Sequence, residues 1–494
     1  MLKRVLNSSL GLVLILAMLL ASSACGKSAS GGTVTEASDV TSAETSAETT
    51  TGERQPDVPA TDMDGKTFTF VVRGESFNEW ESQDIYAEEE DGEPINDAVY
   101  RRNAYLEDKY NMVIAQYGAS DPAGSAKKSI NAGSEDYDVV MANTQEMASL
   151  ASQGFLFDLK TVPYLNLDED WWDQRSVKQL SLDNKLFFCT SDLSIMANDA
   201  TWILMFNKEI AENYNIENIY DTVKTGYWTF DKMYELMSTV ATDVNGDGIM
   251  SPLDDVLGFA THASSIEGLF FASGSHTVGK DESDMPYLDM NGERIVGVVE
   301  KANKLMADAS VTFNLSANKF GLSDALKHLQ PVFQDGHSLF YGEVMQCIIR
   351  LRAMEIDFGV IPFPKYDETQ EEYNHYIHVT AAMIGVPLTN SDLDNTGIML
   401  EAMSAKSMYT LQKAYYDTCL DGKFMRDEES KDMLDIILAT RNYDIGYIYS
   451  WGNLFAAFSN CVSKGTTDFA SQYAKKEPSA QKAMDKTLEE WLGA

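Results

Sequence analysis

Short apolar runs alternate with segments of helical periodicity between residues 66 and 153. The run KTFTFVVR at 66–73 has apolar residues at every second position, a period that is typical of a strand. Because the connections between these segments are short, the pattern predicts right-handed βαβ units, a parallel sheet and therefore an α/β fold. Further strands are predicted at 111–117 and 137–143, and helices at 95–110, 121–133 and 145–153.

The remainder of the chain also mixes helices and strands, and its last third is mostly helical. ATWILMF at 200–206 is too apolar for an edge strand, and HVTAAMIGVP at 378–387 also has strand character. A chain of 494 residues is expected to form about three units at ~150 residues per domain. The predicted division is a signal peptide at 1–24, a tether at 25–62, a first lobe at 63–200, a second lobe at 201–375, a return segment of the first lobe at 376–440 and hinge-associated C-terminal helices at 441–494.

The first 25 residues indicate export. Lys3 and Arg4 precede an apolar run at 10–21 (LGLVLILAMLLA), which is shorter than the ~20 residues of a membrane-spanning helix. The run is interpreted as the apolar part of a secretory signal peptide. The small residues before Cys25 resemble the lipobox of bacterial lipoproteins, which implies a lipidated, palmitate-carrying cysteine that attaches the protein to the outer face of the cytoplasmic membrane. Ordinary signal-peptidase cleavage, with Cys25 as a bystander, is the alternative.

The segment that follows Cys25 has the composition of a flexible linker. Residues 26–62 contain no aromatic residue, leucine or isoleucine, and are rich in serine, threonine, alanine and glutamate. Such a segment cannot bury enough apolar surface to fold. It is therefore predicted to be a tether that holds a globular body just outside the membrane.

The charge balance restricts the partners. The chain carries 38 basic and 76 acidic residues, for a formal net charge of −38. Nucleic acid is excluded as a partner, because phosphate binding requires a basic face that releases counterions. A self-repelling, monomeric protein is expected.

Four segments together carry a resemblance to a known family. They are YDVVMANTQEMASLASQGFLFDL, YWTFDKMYELMS, FGVIPFPKYDETQEEY and RDEESKDMLDII. In this order, behind a lipoprotein leader, they resemble extracellular solute-binding proteins of family 1, the receptors of bacterial ABC importers that typically bind sugars. The resemblance covers most of residues 66–490. It implies a two-lobed fold of the periplasmic-binding-protein type, an oligosaccharide ligand in the cleft between the lobes, and an ABC permease as partner.

The segment DVNGDGIMSPLD at 243–254 matches the start of an EF-hand-type calcium loop. Oxygen-bearing side chains fall at positions 1, 3, 5, 9 and 12, and glycine occupies position 6, where the loop turns sharply. The alternative is a solvated Asx/Gly turn, because position 12 is aspartate instead of glutamate and a proline interrupts any second helix. The predicted ligands of a structural Ca²⁺ are Asp243, Asn245, Asp247, the backbone carbonyl of Ile249, and Asp254.

Sugar binding needs flat aromatic faces and planar polar groups. Ligands of α/β sheets bind at the carboxyl ends of the strands, so candidates are sought directly after predicted strands. Core packing is the alternative for every tryptophan; it is preferred for Trp171, Trp172 and Trp228, and both interpretations stay open for Trp80 and Trp451. The candidates are Arg73, Asn78, Trp80, Asn143 and Gln145 on the first lobe, Asn198 and Asp199 before the crossing strand, and Tyr341, Glu343, Trp451 and Asn453 further along.

Enzyme functions find no specific support. No HExxH, GxSxG, P-loop or GxGxxG motif occurs. A glycosidase needs a pair of carboxylates, but among 76 acidic residues any pair can be proposed. A binding protein without catalytic residues is therefore expected; a surface polysaccharide hydrolase, and the same receptor fold with a peptide or polyol as ligand, are the alternatives.

The cysteines after position 25 lie far apart and have no metal-binding spacing. One or two disulfides are compatible with an extracellular location, but buried thiols are the preferred interpretation. These cysteines are Cys189, Cys347, Cys419 and Cys461.

Overall fold

The structure of the protein, a computed structural model, describes residues 52–351, 354–420 and 428–492. The predicted signal peptide, Cys25 and the tether up to residue 51 therefore lie outside the described residues. Within the described part, no helix combines the length and the apolar character needed to cross a bilayer.

The predicted elements at the start of the ordered chain are confirmed to within a few residues. The described strands are β1 (Lys66–Arg73), β2 (Met112–Ala119), β3 (Val139–Asn143), β4 (Trp202–Asn207), β5 (Leu257–Thr261), β6 (Val278–Lys280), β7 (Pro286–Leu288), β8 (Thr312–Asn314), β9 (Ser338–Val344), β10 (Phe358–Ile361), β11 (His375–Tyr376), β12 (Ala382–Gly385) and β13 (Arg441–Asn442). The described α-helices are α1 (Pro94–Tyr110), α2 (Pro122–Ala132), α3 (Thr144–Ser152), α4 (Gln174–Leu180), α5 (Met196–Asp199), α6 (Lys208–Asn213), α7 (Ile219–Lys224), α8 (Phe230–Val240), α9 (Ser265–Ala272), α10 (Glu293–Ala307), α11 (Gln330–Gln334), α12 (Cys347–Leu351), α13 (Leu393–Tyr409), α14 (Leu411–Leu420), α15 (Glu428–Ala439), α16 (Ile445–Ile448), α17 (Ala456–Lys464) and α18 (Phe469–Leu492).

The first sheet has the strand order β12-β3-β1-β2. β1 pairs in parallel with β2 along its whole length and with β3 on its other side, as the βαβ pattern predicts. β12 joins the edge of this sheet antiparallel to β3, although it comes from far along the chain. The first lobe is therefore built from two separate parts of the sequence.

The second sheet has the strand order β10-β4-β9-β5-β8. β5 is parallel to both of its neighbours, whereas β4 is antiparallel to β9 and to β10. Successive side chains of β4 point to opposite faces. Trp202 and Leu204 lie in the core on one face, and Ile203 and Met205 lie in the core on the other.

Three segments cross between the lobes and lie side by side. Thr201 and Ile377 form an antiparallel bridge, and β11 pairs in parallel with β13. The backbone N–H of His378 donates to the carbonyl of Ala200 at 2.9 Å. The two lobes are thus joined by a narrow, hydrogen-bonded hinge. The crossing segments are residues 196–201, 375–381 and 440–444.

The C-terminal helix α18 contributes to both lobes. Phe469 and Tyr473 lie in the core of the second sheet, and Met484 and Trp491 lie in the core of the first. Pro478 interrupts the helix between these two pairs. A helix of 24 residues is about 36 Å long, so α18 spans the boundary between the lobes.

The predicted extent of the return segment, 376–440, needs correction. Ile398 and Met399 of α13 lie in the first core, as predicted, but Leu411 and Leu434, from α14 and α15, lie in a core that joins one face of the second sheet to Val99 of α1. The helical periodicity indicates that a face is buried, but it does not indicate which sheet covers that face.

The tryptophans expected in the core lie there, and the described cysteines are unpaired. Trp228 is fully buried and its indole N–H donates to the carbonyl of Pro362 at 2.8 Å. Cys189, Cys347 and Cys461 are buried free thiols, and the side chain of Cys419 lies outside the described part.

Trp171 and Trp172 share a buried carboxylate. Glu401 of α13 accepts the indole N–H of Trp171 at 3.0 Å on one oxygen and that of Trp172 at 2.8 Å on the other. The backbone N–H of Asn166 donates to the same carboxylate at 3.2 Å. Glu401 therefore ties three donors of one loop to the helix that returns from the second lobe.

Replacing Glu401 by alanine leaves these donors unpaired in the core. Each unsatisfied group costs ~1–3 kcal/mol, so we expect Glu401→Ala to lower the free energy of unfolding by roughly 3–5 kcal/mol in urea denaturation. Glu401→Gln retains one carbonyl oxygen and should lose about half as much. Glu300→Ala, at an exposed position of α10, is the control. A loss for Glu401→Ala as small as that of the control would contradict the assignment.

Candidate ligand site between the lobes

Both sheets present the carboxyl ends of their parallel strands to the crossing segments. In the first sheet, β12 begins directly after a crossing segment and lies beside the end of β3. In the second sheet, β4 begins directly after another crossing segment, with Trp202 opposite Val344 at the end of β9. Because ligands of α/β sheets bind at this edge, the crevice between the lobes at the hinge is the candidate site.

A loop after β1 forms the first wall of this crevice. Gly74 starts the loop, and a Cβ atom there would lie 2.8 Å from the carbonyl carbon of Gly118, so only glycine lets β1 and β2 approach this closely. The 3₁₀ turn that follows carries Trp80, which is half-buried and packs against the cores of both lobes. Trp80 therefore reaches across the boundary between the lobes.

Arg73 ends β1 beneath this loop. Its guanidinium carbon lies 5.9 Å from the centre of the Trp80 ring and 5.8 Å from that of Phe77. The side chain is 4% exposed, and its Nη2 atom has no hydrogen-bond partner among the described residues. Burial lowers the pKa of Arg73 to about 10, although Asp84 and other carboxylates at longer range oppose the shift.

Hydrogen bonds connect the first wall to the second lobe. The side chain of Arg350 binds Glu79 at 3.0 Å, and the Gln346 amide donates to the carbonyl of Glu79. The backbone N–H of Gln346 also donates to the carbonyl of Asp199 in the hinge at 3.1 Å. These residues line a cavity of about 190 Å³ between the lobes. The crevice thus contains groups from the first lobe, the hinge and the second lobe.

An aromatic and histidine cluster forms the second wall and the floor. The ring of Trp202 stacks on His378 with centres 6.2 Å apart and meets His262 edge-on at 5.5 Å. His262 Nε2 lies 3.3 Å from Glu343 Oε2. Within the described part of the chain, the buried indole N–H of Trp202 has no acceptor. The cluster therefore contains a contact between a histidine and a carboxylate and an unused indole donor, although the ring of Trp202 itself is 1% exposed.

Two carboxyl groups near His262 are set to different protonation states. Burial opposes the ionisation of Glu343, but the hydrogen bond and the charge of His262 outweigh it, so the pKa of Glu343 lies below its ordinary value. Burial raises the pKa of Glu267 on α9 to about 7, and His262 offsets this only in part. At neutral pH the cluster therefore holds one ionised acceptor and one carboxyl group that is partly protonated.

Asn198 and Asp199 are buried in the hinge and hold it together. Arg441 donates to Asn198, and its guanidinium lies 2.5 Å from Asp173 of the first lobe. Asp199 accepts the hydroxyl of Tyr415 at 2.7 Å, and burial raises the pKa of Asp199 to about 7. Asp199 also lines the cavity between the lobes, whereas the amide of Asn198 is committed to hinge contacts.

Three further candidates lie on the first lobe. Asn143 caps α3 in a capping box with Glu146. The side-chain oxygen of Asn143 accepts the backbone N–H of Glu146 at 2.9 Å and is therefore already used. Asn78 is exposed in the loop beside Trp80 and has φ 48° and ψ −114°, a conformation that favours glycine. Gln145 is exposed and lines a groove beside residues 448–450 that is distinct from the cavity at Glu79.

Tyr341, Trp451 and Asn453 are not brought into the crevice. Tyr341 is fully buried in the core of the second sheet that also contains Ile203 and Met205. Trp451 is 2% exposed, and its indole N–H donates to Thr487 of α18 at 2.9 Å. Of the two open interpretations, core packing is therefore the one that the structure supports for Trp451. Asn453 is exposed in the turn that follows.

Sequence reasoning missed several groups of the crevice. Trp202 and His378 have a signal in retrospect, because each lies near the start of a predicted strand, 200–206 and 378–387. Gln346 carries none, since it follows the end of β9 and its role depends on the contact between the lobes. These missed residues are Trp202, His262, Glu267, Gln346, Arg350, His378 and Arg441.

The predicted calcium loop forms a series of tight turns. Asp243 accepts the backbone N–H of Gly246 at 2.7 Å and that of Gly248 at 2.8 Å, and Asp247 accepts that of Ile249 at 2.8 Å. Asp254 accepts the hydroxyl of Ser251 at 3.1 Å. Among the residues described, no group of three or more His, Cys, Asp or Glu side chains is arranged to hold a metal ion. The loop keeps the oxygen-bearing residue types of a calcium site, and calcium binding remains a prediction.

A larger cavity of about 740 Å³ lies beside the edge strand β8. Met250, Met306, Phe313 and Phe320 contribute much of its wall. It takes no residue from the first sheet or from the crossing segments. Movement of the lobes against each other therefore cannot close it, and the crevice at the hinge is preferred.

Comparisons with known proteins identify the fold. No protein-family model matches the chain, and no curated protein matches it either. A cyclo/maltodextrin-binding protein complexed with maltotetraose is 13% identical, with a TM-score of 0.54 over 90% of this chain and 98% of that one. The maltose-binding periplasmic protein MalE from Listeria monocytogenes, complexed with maltose, is 17% identical, with a TM-score of 0.54 over 86% of this chain and 97% of that one.

A third solved structure agrees. An ABC substrate-binding protein from Listeria monocytogenes in complex with cycloalternan is 13% identical, with a TM-score of 0.50 over 87% of this chain and all of that one. At these identities the likeness establishes the fold. The predicted two-lobed α/β fold of the periplasmic-binding-protein type is confirmed.

The buried ring of His375 makes the hinge sensitive to acid. Its Nδ1 atom lies 2.8 Å from the Thr440 hydroxyl, and burial lowers the pKa of the ring to about 3, with a smaller contribution from the charge of Arg175. The folded state therefore favours the neutral ring. This stabilisation is complete above pH ~6.5 and is lost as the pH falls toward 3.

Between pH 6.5 and 4.5 the His375 ring takes up a proton in the unfolded state but not in the folded state. We expect this difference alone to lower the free energy of unfolding by about 2 kcal/mol over that pH range. Urea denaturation of the protein and of His375→Asn, which can still face Thr440, isolates this contribution as the difference between the two pH profiles. Parallel profiles would contradict the expectation.

Proposed function

We propose that this protein is an extracellular receptor that binds a carbohydrate between its two lobes and delivers it to an ABC importer. The observation that carries the proposal is the crevice at the hinge, where the half-buried Trp80 of one lobe packs against the core that contains Trp202, beside the planar polar groups of Glu79, Gln346 and Arg350. Aromatic faces suit the apolar sides of sugar rings, and amide, carboxylate and guanidinium groups suit their hydroxyls.

The solved structures of the same fold support a sugar as the ligand class. The three structures are complexes with maltose, maltotetraose and cycloalternan, and one of them is an ABC substrate-binding protein. All three are binding proteins, which supports a binding role without catalysis for this chain. The hydrolase alternative is tested by incubating the protein with labelled oligosaccharides, since turnover would overturn the proposal.

The mechanism proposed is closure of the lobes about the crossing segments. The contacts of Glu79 with Gln346 and Arg350 form only when the lobes are close, so they belong to the closed state. A ligand that contacts both walls binds the closed state more tightly and shifts the equilibrium toward it. The permease would recognise that state.

Lipid attachment at Cys25 is part of the proposal. The leader and the tether, which carry it, precede the described residues. An anchored receptor would hold its crevice near the permease at the outer face of the cytoplasmic membrane. Labelling of the full chain with a fatty-acid analogue, lost in Cys25→Ala, is the test.

The ligand class is tested first by a thermal-shift screen of residues 53–494 with mono- and oligosaccharides. A ligand at 100 times its Kd stabilises by ~2.7 kcal/mol, which shifts the melting temperature measurably. For the saccharide that binds, we expect Trp80→Ala to weaken binding by about 10- to 100-fold, because a stacked aromatic face contributes on the order of 1–3 kcal/mol.

Tyr164→Ala is the matched control for Trp80→Ala. Tyr164 is also an aromatic residue of the first lobe, but it is 44% exposed. An unchanged affinity in Trp80→Ala would place the ligand elsewhere. If peptides or polyols bind and saccharides do not, the protein is a receptor for a ligand other than a sugar.

We also propose that the loop 243–254 binds a structural Ca²⁺. Its support is the identity and spacing of the oxygen-bearing residues. We expect Ca²⁺ to raise the melting temperature over that in EDTA, and Asp247→Asn, which keeps the oxygen that accepts from Ile249, to abolish the rise. Glu212→Gln, at an exposed position outside the loop, is the control. Equal melting temperatures in Ca²⁺ and EDTA would leave a solvated turn as the interpretation.

A further inference from the structure

The guanidinium of Arg73 is a buried charged group that lacks a contacting counter-charge among the described residues. It is 4% exposed, it ends β1 at the edge where the two lobes meet, and its Nη2 atom has no hydrogen-bond partner in the described part of the chain. No ion pair involves it among the described residues. Buried charges in proteins are normally paired, because removing a charge from water without a counter-charge is costly.

The carboxylates nearest to Arg73 are already used by other groups. Asp84 accepts the hydroxyls of Ser82 at 2.6 Å and of Ser194 at 2.5 Å. Glu146 accepts the backbone N–H of Asn143, the N-cap residue of its own helix, and Asp199 accepts a tyrosine hydroxyl at 2.7 Å. They act on Arg73 only as charges at a distance. The fold thus keeps a guanidinium with free donors next to an aromatic wall.

We infer that the ligand is an acidic saccharide, whose uronic-acid carboxylate binds Arg73 while its ring stacks on Trp80. This inference rests on the proposed function and specifies its ligand. The guanidinium carbon lies over the Trp80 ring, 5.9 Å from its centre, so a sugar ring that contacts the exposed part of Trp80 has its substituents close to Arg73. Arginine matches a carboxylate with two parallel hydrogen bonds and supplies the opposite charge.

A neutral sugar explains Arg73 less well. Its hydroxyls can accept hydrogen bonds from the guanidinium, but they supply no counter-charge in contact with it, and the carboxylates of Asp84, Glu146 and Asp199 act only from a distance. The net charge of −38 repels an anion, but salt screens the contribution of charges more than ~8 Å away. The local charge at Arg73 therefore decides which ligand is preferred inside the crevice.

The test compares ligands that differ only in the charge of one group. Oligomers of galacturonic and glucuronic acid are titrated calorimetrically against residues 53–494, alongside their methyl esters, the matched neutral oligosaccharides, and citrate and glutamate as carboxylates without a sugar ring. We expect the uronate oligomers to bind at least about 50-fold more tightly than their methyl esters.

Variants of Arg73 provide the second readout. Arg73→Gln should lose the preference for the uronate over its ester, and Arg73→Lys should restore part of it. Because Arg73→Gln removes a buried unpaired charge, its melting temperature without ligand should equal or exceed that of the parent protein; a residue with a purely structural role would lower it. Arg101→Gln, on the exposed side of α1, is the matched control.

The outcomes separate the inference from the proposed function. Equal binding of uronates and neutral saccharides overturns the acidic ligand and leaves the receptor intact. Binding of citrate or glutamate without any saccharide overturns the carbohydrate class, and binding of nothing in the panel overturns both. The comparison of uronate with ester needs no variant, so it decides the matter even if Arg73→Gln does not fold.

Discussion

The buried ion pair between Arg441 and Asp173 is the interaction on which the two-lobed arrangement depends. Arg441 sits in one crossing segment, contacts Asn198 in another, and binds Asp173 of the first lobe at 2.5 Å. A buried pair contributes little net stability, but breaking it leaves an uncompensated charge in the interior. It therefore favours the observed arrangement of the crossing strands, in which the carboxyl ends of both sheets face the same crevice.

The elements between residues 66 and 153 could be predicted to within a few residues, because their signals are local. β1 shows a period of two, and Asp121 and Asn143 cap the helices that follow. The placement of α14 and α15 could not be predicted in this way. Their apolar faces are visible in the sequence, but the sheet that covers them is known only from the three-dimensional arrangement.

Among the residues of the candidate site, those with a local signal in the sequence could also be predicted, and the others could not. Arg73 and Glu343 are found by a rule about strand ends, and Trp80 by the polar sequence around it. Trp202 was missed as a ligand-site residue, since its strand runs antiparallel to its neighbour and so its first residue, not its last, reaches the crevice. For Trp451 the polar surroundings were misleading, because α18 covers it.

The helix α18 limits how the lobes can move. Its first half is packed into one lobe and its second half into the other, so the two lobes cannot rotate as bodies linked by flexible strands alone. Pro478, midway between, removes one backbone hydrogen bond and weakens the helix there. The amplitude and axis of any opening are therefore set by the bending stiffness of a single helical turn, far from the residues that contact a ligand.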